Sequence, residues 1–463
     1  MGERRDVYLT VTTSTCAACG RLLPARVHLR QDGIWFHKHC PVHGAQDVRV
    51  FSDGELYLEH GRFHRAGAIP LRFGASAQEG CPGSCGICPE HEQHVCLPIV
   101  EITDHCDLAC PICLVRNRAS RHLTRREVAA ILDGLIASEG QIDVLNLSGG
   151  EPTRNPHFRE IVDECVAREE ILRVSVSTNG IALLGDPVAL EHLALRNVVV
   201  SLQFDGFNED AYQKLRGGPL LQDKLRLIEA AGRLDLPMSL VVTVAAGIND
   251  RGLGGVLDLL FERDHILSVM FQPLAHAGRG ARLPRSNEAV TIPDVIRLLD
   301  GACRGTVSAG DFSPLPCSHP ACFSLAYYLR VEGGAFLSMK RLVKIDRYLD
   351  ILQNRGIFGT DPEGFEAVKA AAYDLWSGPQ ALAPDSRKAL RAVKRLLESV
   401  SCCGPFRPRE AVAKAERSVK SIFIHGFMDA HTFDLARARK CCNVYPQLDG
   451  RLMPACIRNV LRS

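Results

Sequence analysis

Residues 106–113 read Cys-Asp-Leu-Ala-Cys-Pro-Ile-Cys, a CxxxCxxC spacing that follows directly on the apolar stretch 97–102. A short apolar run of this kind predicts a strand, so the three cysteines hang from the loop that leaves it. Three thiolates this close suit a four-iron cube and leave one iron without a protein ligand. An open coordination site belongs to a cluster that performs chemistry, whereas a structural or relay cluster normally has a fourth cysteine. Beyond the loop, β-branched runs alternate with amphipathic segments: strands are predicted at 99–102, 143–147, 173–177, 198–203, 239–244 and 268–272. Helices are predicted near 125–138, 158–168, 220–234 and 253–263. Six βα units predict an α/β fold with a parallel sheet, closed or partly closed, and with its chemistry at the C-terminal strand ends.

Those ends carry suitable groups. After the second strand come Ser148, Gly149, Gly150, Glu151 and Pro152, where glycines allow close backbone approach and the carboxylate can bind an ammonium group. The third strand ends in Ser177-Thr178-Asn179-Gly180 and the fourth in Ser201-Leu202-Gln203-Phe204-Asp205-Gly206. Turn formation and N-capping account equally well for these last two stretches. Asn249 and Gln272 are weaker candidates, matched by a reading as satisfied loop amides.

The CxxxCxxC loop joined to Gly-Gly-Glu-Pro on the next strand end resembles the radical SAM (S-adenosylmethionine) enzymes. The resemblance implies a six-stranded partial (β/α) barrel and a [4Fe–4S] cluster held by Cys106, Cys110 and Cys113. It implies that Glu151, within 148–152, binds the amino group of the SAM methionine moiety, and that Ser177, Asn179, Gln203 and Asp205 serve its carboxylate and ribose. Reduction by an external donor such as ferredoxin or flavodoxin then cleaves SAM to a 5′-deoxyadenosyl radical that abstracts hydrogen from carbon. The protein's part in such chemistry is to position the target bond and exclude water.

The chain has 463 residues, with 55 Lys and Arg against 53 Asp and Glu, a net charge of +2 that does not point to nucleic acid. No apolar run approaches the ~18 residues of a spanning helix, and the expectation is a cytoplasmic protein. Nineteen cysteines in such a chain point to metal. Cys16, Cys19, Cys40 and His43, around a turn at Asp32-Gly33, predict a small ribbon holding zinc or a mononuclear, rubredoxin-type iron. Cys81, Cys85, Cys88 and Cys96 form a second set suited to an auxiliary [4Fe–4S] cluster or to zinc. Cys317, Cys322, one or both of Cys441 and Cys442, and Cys456 form a third. Cys165 and Cys303 read as buried thiols, and Cys402 and Cys403 have no place in the scheme. The expected organisation is a metal ribbon at 1–70, an auxiliary-cluster segment at 71–98, the barrel at 99–275 and a mostly helical region at 276–463. Within the last, 422–434 reads as a strand leading into a helix capped near Thr432, with His425 and Asp429 near the mouth or simply satisfied in the core.

Over nearly its whole length the chain is similar to the archaeal-type tetraether lipid synthases and the related class D radical SAM methylases. The N-terminal CxxC…CPxHG, the CPxxCGxCPEHxxHxC before the radical SAM loop, PCSHPxC and the closing IxxHxFMDxxxFD…CC…PxC carry this likeness. Ala455 departs from it, standing where the subgroup usually has Phe before the last cysteine. The resemblance implies C–C bond formation at unactivated carbon. The favoured expectation is coupling on a lipid or other apolar substrate, with docking at a membrane surface; a class D methylase of a pterin-like acceptor is the alternative. A lipid tunnel must be apolar throughout, since each methylene is worth about 0.8 kcal/mol, and 323–329 and 345–352 are candidate linings. A non-catalytic electron-transfer protein fits less well, because a carrier needs neither an open iron nor an amine-binding glutamate.

Overall fold

The computed structural model describes residues 6–343 apart from 79, 84, 116–120, 284, 286–288 and 304, then 354, 362–377, 383–401 and 408–461. Cys402, Cys403 and the run 345–352 lie outside the described residues. Four antiparallel strands in sequential order come first: β1 (Asp6–Thr15), β2 (Leu22–Arg30), β3 (Gly33–Cys40) and β4 (Gly44–Phe51). Gly33 makes the β2–β3 turn at φ +130°, with a would-be Cβ 2.1 Å from the Phe51 carbonyl oxygen, so only glycine fits. Ala25, Val27, Ile34, Phe36 and Phe51 of this ribbon belong to the main hydrophobic core.

The central sheet has six parallel strands: β5 (Leu97–Thr103), β6 (Ile142–Gly149), β7 (Ile171–Thr178), β8 (Val199–Gln203), β9 (Met238–Val244) and β10 (Ile266–Pro273). The helices Arg125–Glu139, Phe158–Ala167, Leu221–Arg233 and Leu253–Glu262 fall within two residues of expectation. A capping box between Thr124 and Glu127 starts the first of these. The two faces of the sheet differ. Val100, Ile102, Leu145, Leu147, Val176, Val200, Leu202, Leu240, Val242, Val269 and Phe271 are all fully buried. The alternate positions bring Glu101 beside Ser148, Asn146 beside Ser175, Ser177 beside Ser201, and Thr243 beside Gln272. Period-two alternation thus gives one apolar face and one mixed face, on which Val199, Val241 and Met270 stand among the polar residues.

The C-terminal third departs from the mostly helical expectation. It contributes β11 (Ser313–Pro314), β12 (Phe323–Arg330), β13 (Phe336–Ser338), β14 (Val419–His425), β15 (Asn443–Pro446) and β16 (Leu452–Pro454). β14 extends the central sheet parallel to β10, with β12 antiparallel beyond it, and β15 joins the opposite edge parallel to β5. Of the C-terminal strands, β14 matches the strand expected within 422–434, whereas pairing over long chain distances leaves the others without a local signal beside the helices at 362–377 and 383–401. The helix after β14 starts at Leu435, and its cap is Asp434, whose side chain accepts from the Ala436 and Arg437 N–H groups; Thr432 hydrogen-bonds Asp429 instead. No helix among the described residues is long and apolar enough to cross a membrane.

Lys420 on β14 is fully buried and donates to the carbonyls of Arg263, Asp264 and Ile266, tying β14 to the start of β10. Burial lowers its pKa from 10.5 to about 8. Because the folded state binds fewer protons there, this group makes stability rise from about pH 8 towards pH 10.5, a gain lost again as pH falls through about 8. Denaturant titrations at pH 7.5 and 9.5 should show a smaller rise for Lys420→Met than for the parent chain; equal rises would contradict the assignment.

Candidate active site and metal centres

The CxxxCxxC loop begins where β5 meets the end of β6. The Gly150 N–H donates to the Thr103 carbonyl at 2.7 Å, and the Glu151 N–H to the His105 carbonyl at 2.7 Å. A Cβ at Gly149 would lie 2.2 Å from the Thr103 oxygen, and one at Gly150 2.2 Å from the His105 oxygen. The glycine pair thus admits the cysteine loop itself, a closer neighbour than any ligand. From the other side the Arg279 N–H donates to the Cys113 carbonyl at 2.8 Å. Cys106, Cys110 and Cys113 are each partly buried. Burial raises the Cys106 thiol to about 11, with Glu151 and Asp107 adding to the shift and the Leu108 N–H opposing it. Burial also raises Cys110, against the pull of Arg216. Iron binding must therefore displace protons from these sulfurs.

Glu151 is buried, its carboxylate accepting from Thr153 Oγ1 at 2.6 Å, Thr178 Oγ1 at 2.7 Å and the Asn179 N–H at 2.8 Å, while burial raises its pKa. It also caps the single helical turn opened by Pro152. Ser148 faces the mixed side beside Glu101. Ser177 exchanges hydrogen bonds with Asn146. Asn179 ties the third strand end to the cysteine loop through Asp107, at 2.6 Å, and Arg154 holds the other oxygen of Asp107 at 2.9 Å. Gln203 accepts from Lys224 at 2.9 Å and donates to Asp205 at 2.5 Å.

Asp205, expected at the cofactor, is turned to another task. Its buried carboxylate accepts from Arg216 at 2.7 and 3.0 Å and from the Thr243 N–H at 3.1 Å. Arg216 in turn reaches the Cys110 thiol. Asp205 is thus a positioning residue for a cation beside the cysteines. Asn249 is saturated by the Asp205 and Thr243 carbonyls and the Ala245 N–H, as a satisfied loop amide would be, and Gln272 donates to Met270.

Sequence reasoning missed Arg216, Lys224 and Arg279. Lys224 had a signal: it falls on the apolar stripe of its helix with Leu221, Leu227, Ile228 and Ala231, where a charge is out of place. Its ammonium donates to the Asn179 carbonyl and to Gln203, and burial, then Arg216, lowers its pKa to about 8. Arg216 is an ordinary basic residue in the last turn of its helix and had none.

In the ribbon, ligand atoms of Cys16, Cys19, Cys40 and His43 lie within 4.8 Å of one another. His43 Nδ1 is 3.6 Å from the Cys16 sulfur and 3.5 Å from that of Cys40, and the Cys19 and Cys40 sulfurs are 4.0 Å apart. A tetrahedral zinc with bonds of ~2.3 Å to sulfur needs ligand separations of about 3.8 Å. Gln46 donates to the Cys16 sulfur at 3.2 Å, a second layer of support.

The remaining cysteines partition otherwise than expected. Cys96 leaves the 81–88 run: its N–H and that of Leu97 donate to the Cys442 carbonyl, its thiol meets the Cys442 thiol, and Cys317 is nearby. Cys441 pairs with Cys456, which brings its pKa down to about 6, and Cys322 is their neighbour. Cys441 and Cys442, just before β15, thus meet different thiols, Cys456 and Cys96, with Cys322 near both. Cys81, Cys85 and Cys88 line a small cavity of about 10 Å³ with Ala438, Arg439 and Ile457. Cys165 is buried and Cys303 half-buried.

Residues 100–260 match the family model of the radical SAM superfamily, and residues 8–52 that of the HMPTM N-terminal zinc ribbon domain. The chain carries a radical SAM domain behind a metal-binding ribbon. It is 27% identical, over 97% of its length and 93% of the relative's, to a 7,8-dihydro-6-hydroxymethylpterin dimethyltransferase of Methanocaldococcus jannaschii. It is 28% identical to a GTP 3′,8-cyclase of Listeria welshimeri over 39% of this chain and 55% of the cyclase. Among solved structures, Streptococcus suis SuiB bound to the precursor peptide SuiA is 16% identical, covers 45% of each chain and gives a TM-score of 0.39.

Two variants test the geometry. Gly150→Ala should lower the iron content per chain while the ribbon keeps its metal; undiminished iron would contradict the packing argument. Arg216→Leu leaves Asp205 buried without its cation and should lower stability by about 3–5 kcal/mol in denaturant titrations, more than the paired change Arg216→Leu with Asp205→Leu.

Proposed function

We propose that the chain is a radical SAM methylase that adds a one-carbon unit to a polar heteroaromatic acceptor of pterin type, and that its parallel sheet curls into a partial barrel. Curling is supported by the contact between the loops leaving β5 and β10, which lie five ladders apart. In a flat sheet, at ~4.8 Å per strand, those strands would stand about 24 Å from each other. The observation that carries the choice of acceptor is the mixed face. Asn146, Ser175, Ser177, Ser201, Gln203, Thr243 and Gln272 lie on it, while Phe423 and Phe323 flank it on β14 and β12 with ring centroids 5.7 Å apart. A ring with nitrogen and oxygen edges finds hydrogen-bond partners and an aromatic neighbour there. An alkyl chain offers those amides and hydroxyls no partner to exchange for the ones they hold in one another, and the lipid-coupling expectation is set aside. The dimethyltransferase of Methanocaldococcus jannaschii, similar over 97% of this chain, acts on a pterin and supports the same choice.

The residues present suit the implied cofactors. Cys106, Cys110 and Cys113 offer an all-sulfur donor set for a [4Fe–4S] cluster, and the Arg279 Nε beside them is buried without a hydrogen-bond partner. Arg216, held by Asp205, offsets the charge of these thiolates. The 148–152 turn, with Ser177, Asn179 and Gln203, lies at the same strand ends and would hold SAM. When bound, cluster and SAM supply one-electron cleavage of the sulfonium and a carbon-centred radical. The mixed face orients the acceptor, and the capping ribbon and C-terminal strands limit water. The clustered cysteines of the C-terminal region are read as ligands of one or two auxiliary [4Fe–4S] clusters, and the ribbon set as a zinc or mononuclear iron site. An external reductant such as ferredoxin or flavodoxin completes the system.

Anaerobic incubation of reduced, iron-loaded protein with SAM and 7,8-dihydro-6-hydroxymethylpterin should give 5′-deoxyadenosine and a methylated pterin. Cys106→Ala should give neither while retaining the ribbon metal. Joining of lipid tails with no change to the pterin would refute the acceptor assignment.

A further inference from the structure

A cavity of about 60 Å³ lies between the ribbon, the segment after β10 and the segment after β14. Pro273 and Leu274 on one wall, and Gly426 and Phe427 on another, follow the C-terminal ends of β10 and β14, the same sheet end that carries the cysteine loop. Three guanidinium groups line it: Arg49 from β4, Arg285, and Arg437. Among the described residues the Nε atoms of Arg49 and Arg437 are buried without a hydrogen-bond partner, while Arg437 Nη2 donates to the Gly426 carbonyl and its guanidinium reaches the Cys322 thiol. Arg285 is half-buried, and Asp429, Lys38 and His431 are its titratable neighbours among the described residues.

The two carboxylates of the lining do not answer these donors. Asp429 accepts from the His431 N–H, the Thr432 N–H and the Thr432 hydroxyl, all at 2.9 Å, and from the His276 N–H at 3.2 Å. Asp434 accepts from the Thr12 hydroxyl at 2.5 Å and the Ala436 N–H at 3.0 Å, as the cap of its helix. Among the described residues both acids spend their hydrogen bonds on the local backbone and on the ribbon, with Asp429 also offsetting the charge of Arg285, and the Nε donors of Arg49 and Arg437 stay unused. A buried donor without a partner is costly, and a ligand supplying the acceptor removes that cost.

We propose that this cavity is a subsite for an oxyanion, phosphate or carboxylate, borne by an acceptor that extends the neutral hydroxymethylpterin with such a group, which holds one end of it at the sheet mouth while the rest reaches over the mixed face. What the anion is attached to rests on the methylase reading; the anion site itself does not. Phe36, Tyr57 and Phe427 give the cavity apolar walls, which strengthen a charge-assisted contact by excluding water.

The test is isothermal titration of the metal-loaded full chain with inorganic phosphate and, separately, acetate. One anion should saturate at one per chain, and the tighter of the two identifies the group. Arg49→Gln should weaken it about tenfold, the loss of one charge-assisted hydrogen bond, and Arg285→Gln should do likewise. Among the described residues Arg49 makes no ion pair that its loss would break, so this variant reports binding even where Arg285→Gln fails to fold. Absence of saturable binding by either anion, or unchanged affinity in Arg49→Gln, overturns the subsite. Anion binding without pterin methylation would leave the subsite and remove the acceptor assignment; methylation without anion binding would do the reverse.

Discussion

Two backbone hydrogen bonds, from the Gly150 and Glu151 N–H groups to the Thr103 and His105 carbonyls, hold the arrangement on which the rest of the site depends. They press the start of the cysteine loop against the end of β6 at a distance no side chain at 149 or 150 would allow. With the backbone so placed, the Glu151 side chain turns inward onto Thr153, Thr178 and the Asn179 N–H, and Asn179 reaches back to Asp107 between the first two cysteines. Arg279 closes the loop from the far side. The three thiols are thus positioned by neighbours on four different strand ends, a preorganised set rather than a flexible loop.

The sheet divides its two faces between stability and chemistry. Its helix-covered face is an aliphatic core whose Leu and Val side chains each contribute roughly 1.5–3 kcal/mol on burial. Its other face carries hydroxyls and amides that satisfy one another in pairs, such as Ser239 with Ser268 at 2.8 Å and Asn146 with Ser175 and Ser177. Paired groups of this kind can exchange a partner for a ligand edge at little net cost, which an aliphatic surface cannot do. Charges on this side are likewise compensated: Asp205 is matched by Arg216, and Glu101 by Arg458, which also stacks over Tyr445 at 4.3 Å.

The chain's outer parts are fastened by buried cations. Lys38 of the ribbon donates to the Thr15 carbonyl at 2.6 Å and to the His431 carbonyl at 2.7 Å, joining the ribbon to the segment after β14. Burial lowers its pKa to about 8, as it does for Lys420 at the other end of β14. The small ribbon therefore relies on more than its metal, since Phe36 and Phe51 enter the main core and Lys38 and Thr12 hold the C-terminal segment.

Much of this was legible locally. In the central sheet and its helices, the six expected strands and four expected helices fall within two residues because hydrophobic periodicity is a property of short windows, and Cys106, Cys110, Cys113 and the ribbon ligands are grouped by spacings that loop geometry enforces. The alternation of serine, glutamine and threonine along β7 to β10 was visible too, but which face they occupy depends on where the helices lie. Tertiary structure alone decided the partners of distant groups. Cys96 meets Cys442 because β5 and β15 pair across the sheet edge, and Asp205 serves Arg216 because β8, β9 and the intervening helix converge there. β14 becomes a sheet strand through contacts with residues some 150 positions earlier. Local spacing determines which atoms can share a turn, whereas partners brought together by chain return leave no mark in the sequence between them.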